Sequence, residues 1–274
     1  MKKLLIFLLA LSYYFLFATF TKNFIVQKFD LKQEVANKNT KPKKIVVGVI
    51  DSGFGFQDKG FVNHLCDKGH RDFTGVEEYS TKFQLKDKVP LDNHGHGTNV
   101  VGLIEKYAKG ADYCIIVVKF YDEKSSFYQD SELKALEYLT SLKPDIINLS
   151  LGGMGENKKE TKIIRQYLDN GGIVIAAAGN GKKVELSNKK EVFIGYQLSK
   201  KENYYPAMSD DRIIVVGNRN YSGDINLTSN YGDRVNTWEI GEDAESYGLV
   251  LTGTSQATAI HTGKLIYNLY RNRR

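Results

Sequence analysis

The chain has 274 residues, 42% of them hydrophobic, and a formal charge of +6 from 38 Lys and Arg against 32 Asp and Glu. That apolar content can fill a sizeable core, which excludes a disordered chain, and the length suits one large α/β domain. The basic residues are interleaved with acidic ones, the pattern of a solvated surface, so no nucleic-acid partner is expected.

Lys2 and Lys3 precede an apolar and aromatic run from Leu4 to Phe20, which reads as an export signal. Its length lies between a signal-peptide core and a membrane span of about 20 residues, so removal and retention as a membrane anchor are both open. Cleavage after Ala18 would leave Leu16 where a small residue is preferred. The division expected is a signal peptide or anchor at 1–20, a polar segment at 21–43 and one folded domain at 44–274. The protein would be secreted or periplasmic, or held at a membrane by residues 4–20.

The polar, Lys-rich stretch from Asn23 to Lys44 gives way to Ile45, Val46, Val47, Gly48, Val49 and Ile50, a β-branched run that predicts a buried strand. Cys114–Phe120 predicts a second strand. Asp130 and Ser131 are candidate caps of a helix carrying Leu133, Leu136, Leu139 and Leu142, stopped by Pro144 and Asp145. Ile146–Leu151 predicts a strand, Lys162–Leu168 a short helix leaving through Gly171 and Gly172, and Ile173–Ala178 another strand. This alternation predicts an α/β fold, a single doubly wound domain with a mostly parallel central sheet flanked by helices. In such sheets the binding crevice lies beyond the carboxyl ends of the strands. Asp51, Ser150–Gly152 and Gly179 with Asn180, each just past a predicted strand, should therefore converge.

The two cysteines, Cys66 and Cys114, are too few for a disulfide scaffold and lack zinc-site spacing, although one disulfide remains open. His64, Cys66 and His70 are read as ordinary loop residues, because a metal cluster needs more ligands at defined spacing.

Three segments carry candidate chemistry. Asp51 ends a buried strand, where a carboxylate needs a dedicated hydrogen-bond partner; a turn or cap is the competing reading. His96 lies between glycines at the predicted entry of a helix, with His94 as its competitor. Ser255 opens a helix running to about Tyr270, whose N-terminus offers unpaired N–H groups where negative charge would develop. Simple N-capping by Thr254 or Ser255 is the alternative there.

The order Asp, His, Ser is one of the convergent orders of the serine triad. With Asp51-Ser52-Gly53, His96-Gly97-Thr98 and Gly253-Thr254-Ser255-Gln256-Ala257, the sequence resembles the subtilisin-like serine peptidases. Ser150-Leu151-Gly152, Ala177-Ala178-Gly179-Asn180, Arg71-Asp72-Phe73 and Tyr205-Pro206-Ala207 extend the resemblance over residues 44–265. It implies a monomeric serine endopeptidase acting on peptide or protein substrates. Ser255 would be the nucleophile, His96 the general base and then acid, and Asp51 the group that orients His96. Asn180 would donate its amide to the oxyanion beside the Ser255 backbone N–H. Ser150, Leu151 and Gly152 would form one wall of the specificity pocket and an edge for extended substrate, with Ala178 and Gly179 as further substrate-binding residues. The residue types suit this chemistry, since serine needs a base to take its proton and fixed donors at the oxyanion favour the transition state over the ground state.

The sequence also departs from the family pattern. Asn99 stands where a histidine is usual, and Ala259 and Ile240 where prolines are common; none of these removes a catalytic group. Only Asn23–Lys44 separates the export signal from the first core strand, so no folding-assistant propeptide is expected. The helix after His96 runs almost directly into the strand at Cys114, which leaves no room for the loop that holds calcium in many relatives. No metal or other cofactor is expected. Val76–Pro90 and Lys182–Asn203 read as insertions; the lysines of the second suit acidic substrates, an anionic membrane or simply solvent. The lack of a propeptide and the early chain end leave a second reading, a catalytically silent relative that binds peptide or a protein partner in the same cleft. A dinucleotide-binding domain does not fit, since Gly48, Gly53 and Gly55 miss that fingerprint.

Overall fold

The computed structural model describes residues 43–58, 64–125, 128–187 and 189–273. The expected signal or anchor at 1–20, and all but the last residue of the polar segment 21–43, lie outside them. Strand β1 (Ile45–Asp51) is buried along almost its whole length, as a β-branched run broken only by Gly48 between two helical layers should be. Its parallel neighbours are β3 (Tyr113–Lys119) and β4 (Ile146–Leu149). Beyond β3 lies the short β2 (Arg71–Asp72); beyond β4 come β5 (Ile173–Ala177), β8 (Ile214–Arg219) and β9 (Thr237–Ile240). The order is β2-β3-β1-β4-β5-β8-β9 and every pair is parallel. The connections diverge at β1 and β4, which makes the carboxyl ends of these two strands the crevice of the sheet.

Helices α1 (His96–Tyr107) and α4 (Thr254–Asn272) pack on each other and on one face of the sheet; α2 (Tyr128–Ser141) and α3 (Lys158–Asp169) form the second layer. The period-two alternation of the strands divides their side chains between these layers. Ile116, Val118, Ile147 and Leu149 join Leu139 and Ile164 in one cluster. Two glycines set the layer spacing. A methyl on Gly48 would lie 2.5 Å from Leu139 Cδ2, and one on Gly263 would lie 2.6 Å from the Ile104 carbonyl oxygen, where α4 crosses α1.

Several boundaries differ from the sequence reading for local reasons. Helix α3 begins a turn earlier than Lys162 because Asn157 Oδ1 accepts from the N–H groups of Lys159 (3.0 Å) and Glu160 (3.3 Å). Asp130 and Ser131 fall inside the first turn of α2 rather than capping it, and Ser131 Oγ donates to the Phe73 carbonyl at 2.9 Å. The stretch Lys182–Asn203 contains an antiparallel hairpin, β6 (Lys182–Glu185) with β7 (Glu191–Ile194). Lys182 pairs with Glu202 and Lys183 with Glu191. A second hairpin, β10 (Ala244–Ser246) with β11 (Leu249–Leu251), precedes α4. Among the described residues no helix is long and apolar enough to cross a membrane.

The segment read as ordinary loop residues is in fact structural. Cys66 and Cys114 form a disulfide that ties the chain before β2 to β3. His70 is buried; Val117 N–H donates to its Nδ1 at 3.0 Å, so Nε2 carries the proton and donates to the Cys66 carbonyl at 2.7 Å. Burial holds its imidazolium below the ordinary value. His64 stacks on Tyr113 and its Nδ1 lies 3.1 Å from Glu105 Oε1. Sequence spacing could not reveal this, because the partners meet only through the pairing of the loop with β3.

Candidate active site

Asp51 leaves the end of β1 and His96 is the first residue of α1; His96 Nδ1 donates to Asp51 Oδ1 at 2.7 Å. The carboxylate must accept, so the imidazole is protonated at Nδ1 and its lone pair sits on Nε2. Asp51 Oδ1 also accepts from Ser52 N–H at 2.8 Å, while Oδ2 is buried without a hydrogen bond. Burial works against the His96 imidazolium, but the charge and hydrogen bond of Asp51, with the charge of Asp92, carry its pKa above the ordinary 6.5. His94 is exposed and packs edge-to-face on Tyr121, with its ring centre 6.2 Å from that of His96. It is not the partner of Asp51.

A residue not singled out in the sequence holds this arrangement. Asp92 is buried and accepts five hydrogen bonds, from Ser52 Oγ, the N–H groups of His94, Gly95 and Thr98, and Thr98 Oγ1. It therefore shapes the loop that delivers His96. Behind it the fully buried Lys119 donates to the Leu91 carbonyl and to Asp122 Oδ2, each at 2.6 Å. The available sequence signal was an acidic residue shortly before the helix-starting His96, which reads locally as a cap.

Ser255 is the second residue of α4, whose N-cap position is Gly253, without a side-chain cap of its own. Asn180 supplies the missing acceptor from outside the helix: its Oδ1 takes the Thr254 N–H at 2.8 Å and Thr254 Oγ1 at 3.0 Å. This fixes the amide so that its NH₂ end is the free one. The alternative expected from sequence, capping by Thr254 or Ser255 themselves, is not what the helix uses. Ser255 Oγ donates to the Ser150 carbonyl at 2.8 Å, and Ser150 Oγ donates to the Ser255 carbonyl at 2.8 Å. Asn148 Nδ2 reaches Ser150 Oγ at 2.9 Å, and Thr262 Oγ1 donates to Asn148 Oδ1 at 2.8 Å. A buried polar network thus fastens the start of α4 to the end of β4.

Ser150, Leu151 and Gly152 continue from β4, and Ala178 and Gly179 from the adjacent β5. A cavity of about 220 Å³ opens beside Asp51 and His96, bounded by His94, Phe120, Tyr121 and Leu151. Away from this cavity's lining, Glu132 on α2 and Glu160 on α3 share a hydrogen bond. Burial, then the neighbouring Glu132 carboxylate, pushes Glu160 up to about 8, so the pair retains a proton at neutral pH. Among the described residues, no group of three or more His, Cys, Asp or Glu is arranged to hold a metal ion.

A sequence profile of the subtilase family matches residues 42–267. The chain belongs to the subtilase family. This subtilase is 27% identical over 250 residues to the major intracellular serine protease of Bacillus subtilis (strain 168), covering 85% of this chain and 70% of that protein. It is 26% identical over 228 residues to the minor extracellular protease Epr of the same organism, covering 79% of this chain and 30% of Epr. A solved cold-adapted subtilisin-like serine proteinase aligns with TM-score 0.61 and 21% identity over 86% of this subtilase and 80% of that chain, a likeness of fold. By name all three are proteases, two of them serine proteases, and they include an intracellular and an extracellular one.

Proposed function

We propose that this subtilase is a serine endopeptidase with Ser255 as nucleophile, His96 as base, Asp51 as the orienting carboxylate and Asn180 as an oxyanion donor. The observation that carries the reading is the Asp51–His96 bond of 2.7 Å beside a cavity that Ser150 also lines, with Ser255 hydrogen-bonded to Ser150 and Asn180 to Thr254, the residue before Ser255. In this reading Ser255 Oγ, which donates to the Ser150 carbonyl in the structure, leaves that bond and donates to His96 Nε2. As Oγ attacks the substrate carbonyl its proton passes to Nε2, and the imidazolium so formed lies against a buried carboxylate with one unpartnered oxygen. Such a carboxylate gains from a cation beside it, which lowers the barrier to proton transfer. Asn180 Nδ2 and the Ser255 N–H receive the oxyanion. His96 then protonates the leaving amine as the C–N bond breaks, and water cleaves the acyl-enzyme by the reverse relay.

The cavity bounded by Phe120, Tyr121 and Leu151 offers space for an apolar substrate side chain beside His96. The Cys66–Cys114 disulfide supports export to an oxidising compartment, in keeping with the apolar N-terminal run. Fluorophosphonate labelling tests the reading: modification of Ser255, lost in His96→Ala, is expected. Folded protein that never reacts would favour the silent peptide-binding alternative.

A further inference from the structure

Tyr204 lies beside the substrate-binding segments. A methyl built on Gly152 would lie 2.5 Å from Tyr204 Cε1 and 3.0 Å from Cζ. One built on Gly179 would lie 2.9 Å from both Cε2 and Cζ. The hydroxyl end of the ring is therefore wedged between the chain leaving β4 and the chain leaving β5, leaving no room for a methyl group on either wall. The wedge is anchored, since Gly153 N–H donates to the Tyr205 carbonyl and Tyr205 N–H to the Gly153 carbonyl, both at 2.8 Å. The ring also packs on the hydrophobic core. Burial raises the pKa of its hydroxyl, with smaller contributions from Tyr196 and Glu132.

We infer that Tyr204 closes the pocket for the residue whose carbonyl Ser255 attacks, so that this subtilase selects substrates with Gly, Ala or Ser at that position. The inference rests on the endopeptidase reading above. In that reading the attacked carbonyl sits between Ser255 and Asn180, and the side chain one bond away enters the space between Ser150–Gly152 and Gly179. The Tyr204 ring already occupies that space. A bulky side chain would have to displace an anchored aromatic ring, whereas a hydrogen or a methyl meets the ring without moving it.

The test measures the rate at which peptidyl aminoalkyl phosphonates modify Ser255 when they differ only in an Ala-like or a Phe-like group at the attacked position. A small alkyl fluorophosphonate, which has no such side chain, serves as reference. The Ala-type reagent is expected to react at least about tenfold faster than the Phe-type, the scale on which pocket size discriminates side chains. Tyr204→Gly should reverse or abolish that ratio, each peptidyl rate being read against the fluorophosphonate rate of the same variant. Tyr204→Phe, which keeps the ring, should preserve the ratio. A parent protein that prefers the Phe-type reagent overturns the inference whether or not Tyr204→Gly folds, and so does a folded Tyr204→Gly with an unchanged ratio. Failure of all three reagents to modify Ser255 overturns the endopeptidase reading itself. Fluorophosphonate labelling with the wrong selectivity sinks only the role of Tyr204.

Discussion

Asn180 has two jobs that one substitution pair separates. Its NH₂ end is the proposed oxyanion donor, while its Oδ1 accepts the Thr254 N–H and Oγ1 and so caps the helix that carries Ser255. Asn180→Ala removes both. Loss of one such donor costs on the order of 10²–10³ in kcat, about 3–4 kcal/mol of transition-state stabilisation, with little change in KM. Loss of a helix cap costs about 1 kcal/mol, and in a domain of this size each kcal/mol lowers Tm by about 2–4 °C. The Ala variant should therefore be both slow and a few degrees less stable. Asn180→Asp restores an acceptor for Thr254 and places negative charge at a helix N-terminus, where it is favourable. It should recover the parent Tm. It should not recover kcat, because a carboxylate repels the oxyanion. Steady-state kinetics on a chromogenic peptide amide, with thermal melting of the same samples, measures both effects. An Asn180→Ala protein with parent kcat, or an Asn180→Asp protein that regains it, would refute the assignment.

Four further outcomes are expected. The proposed mechanism needs neutral His96, whose pKa, despite burial, is raised above the ordinary 6.5 by Asp51, so kcat/KM should rise with pH through a midpoint above that value; Asp51→Asn should lower the midpoint and reduce kcat on the order of 10⁴-fold. The Cys66–Cys114 bridge spans 48 residues, so denaturant melts of a Cys66→Ser, Cys114→Ser protein should show a loss of up to about 4 kcal/mol, the loop-closure value. Glu160 has a folded pKa of about 8 against an ordinary 4.5, so the folded state keeps a proton that the unfolded chain releases. Stability should fall as pH rises across that interval, and Glu160→Gln, compared by melts at several pH values, should flatten the fall and be the more stable protein near pH 8. A calcium chelator should leave Tm unchanged, since only residues 108–112 join α1 to β3; a drop reversed by calcium would reveal a site elsewhere.

Strands β1, β3, β4 and β5 are legible in the amino-acid sequence alone, because an uninterrupted apolar run of strand length has nowhere to go but the middle of a covered sheet. So are Asp51, His96, Asn180 and Ser255 as candidates, since each lies in a short motif of unusual composition at the end of a predicted element. Strand β8 carries an apolar run, Ile213–Val216, of the same kind as those of β4 and β5, and is absent from the sequence reading, whereas β9 and the two hairpins are short and of mixed composition, so that pairing supplies their order. How distant residues meet is settled by the fold. His94 and His96 are equivalent candidates in a string of letters, and the fold pairs one of them with Asp51. Asp92 and Lys119 read locally as a cap and a strand residue, and nothing local marks Asn180 as the acceptor for the start of α4. Their partners Thr98, Leu91 and Thr254 define their roles, and the last of these lies 74 residues away. Tyr204 carries no motif at all. Its weight comes from two glycines on neighbouring strand ends, which leave just the space that its ring fills, and no local pattern records a distance across a cleft.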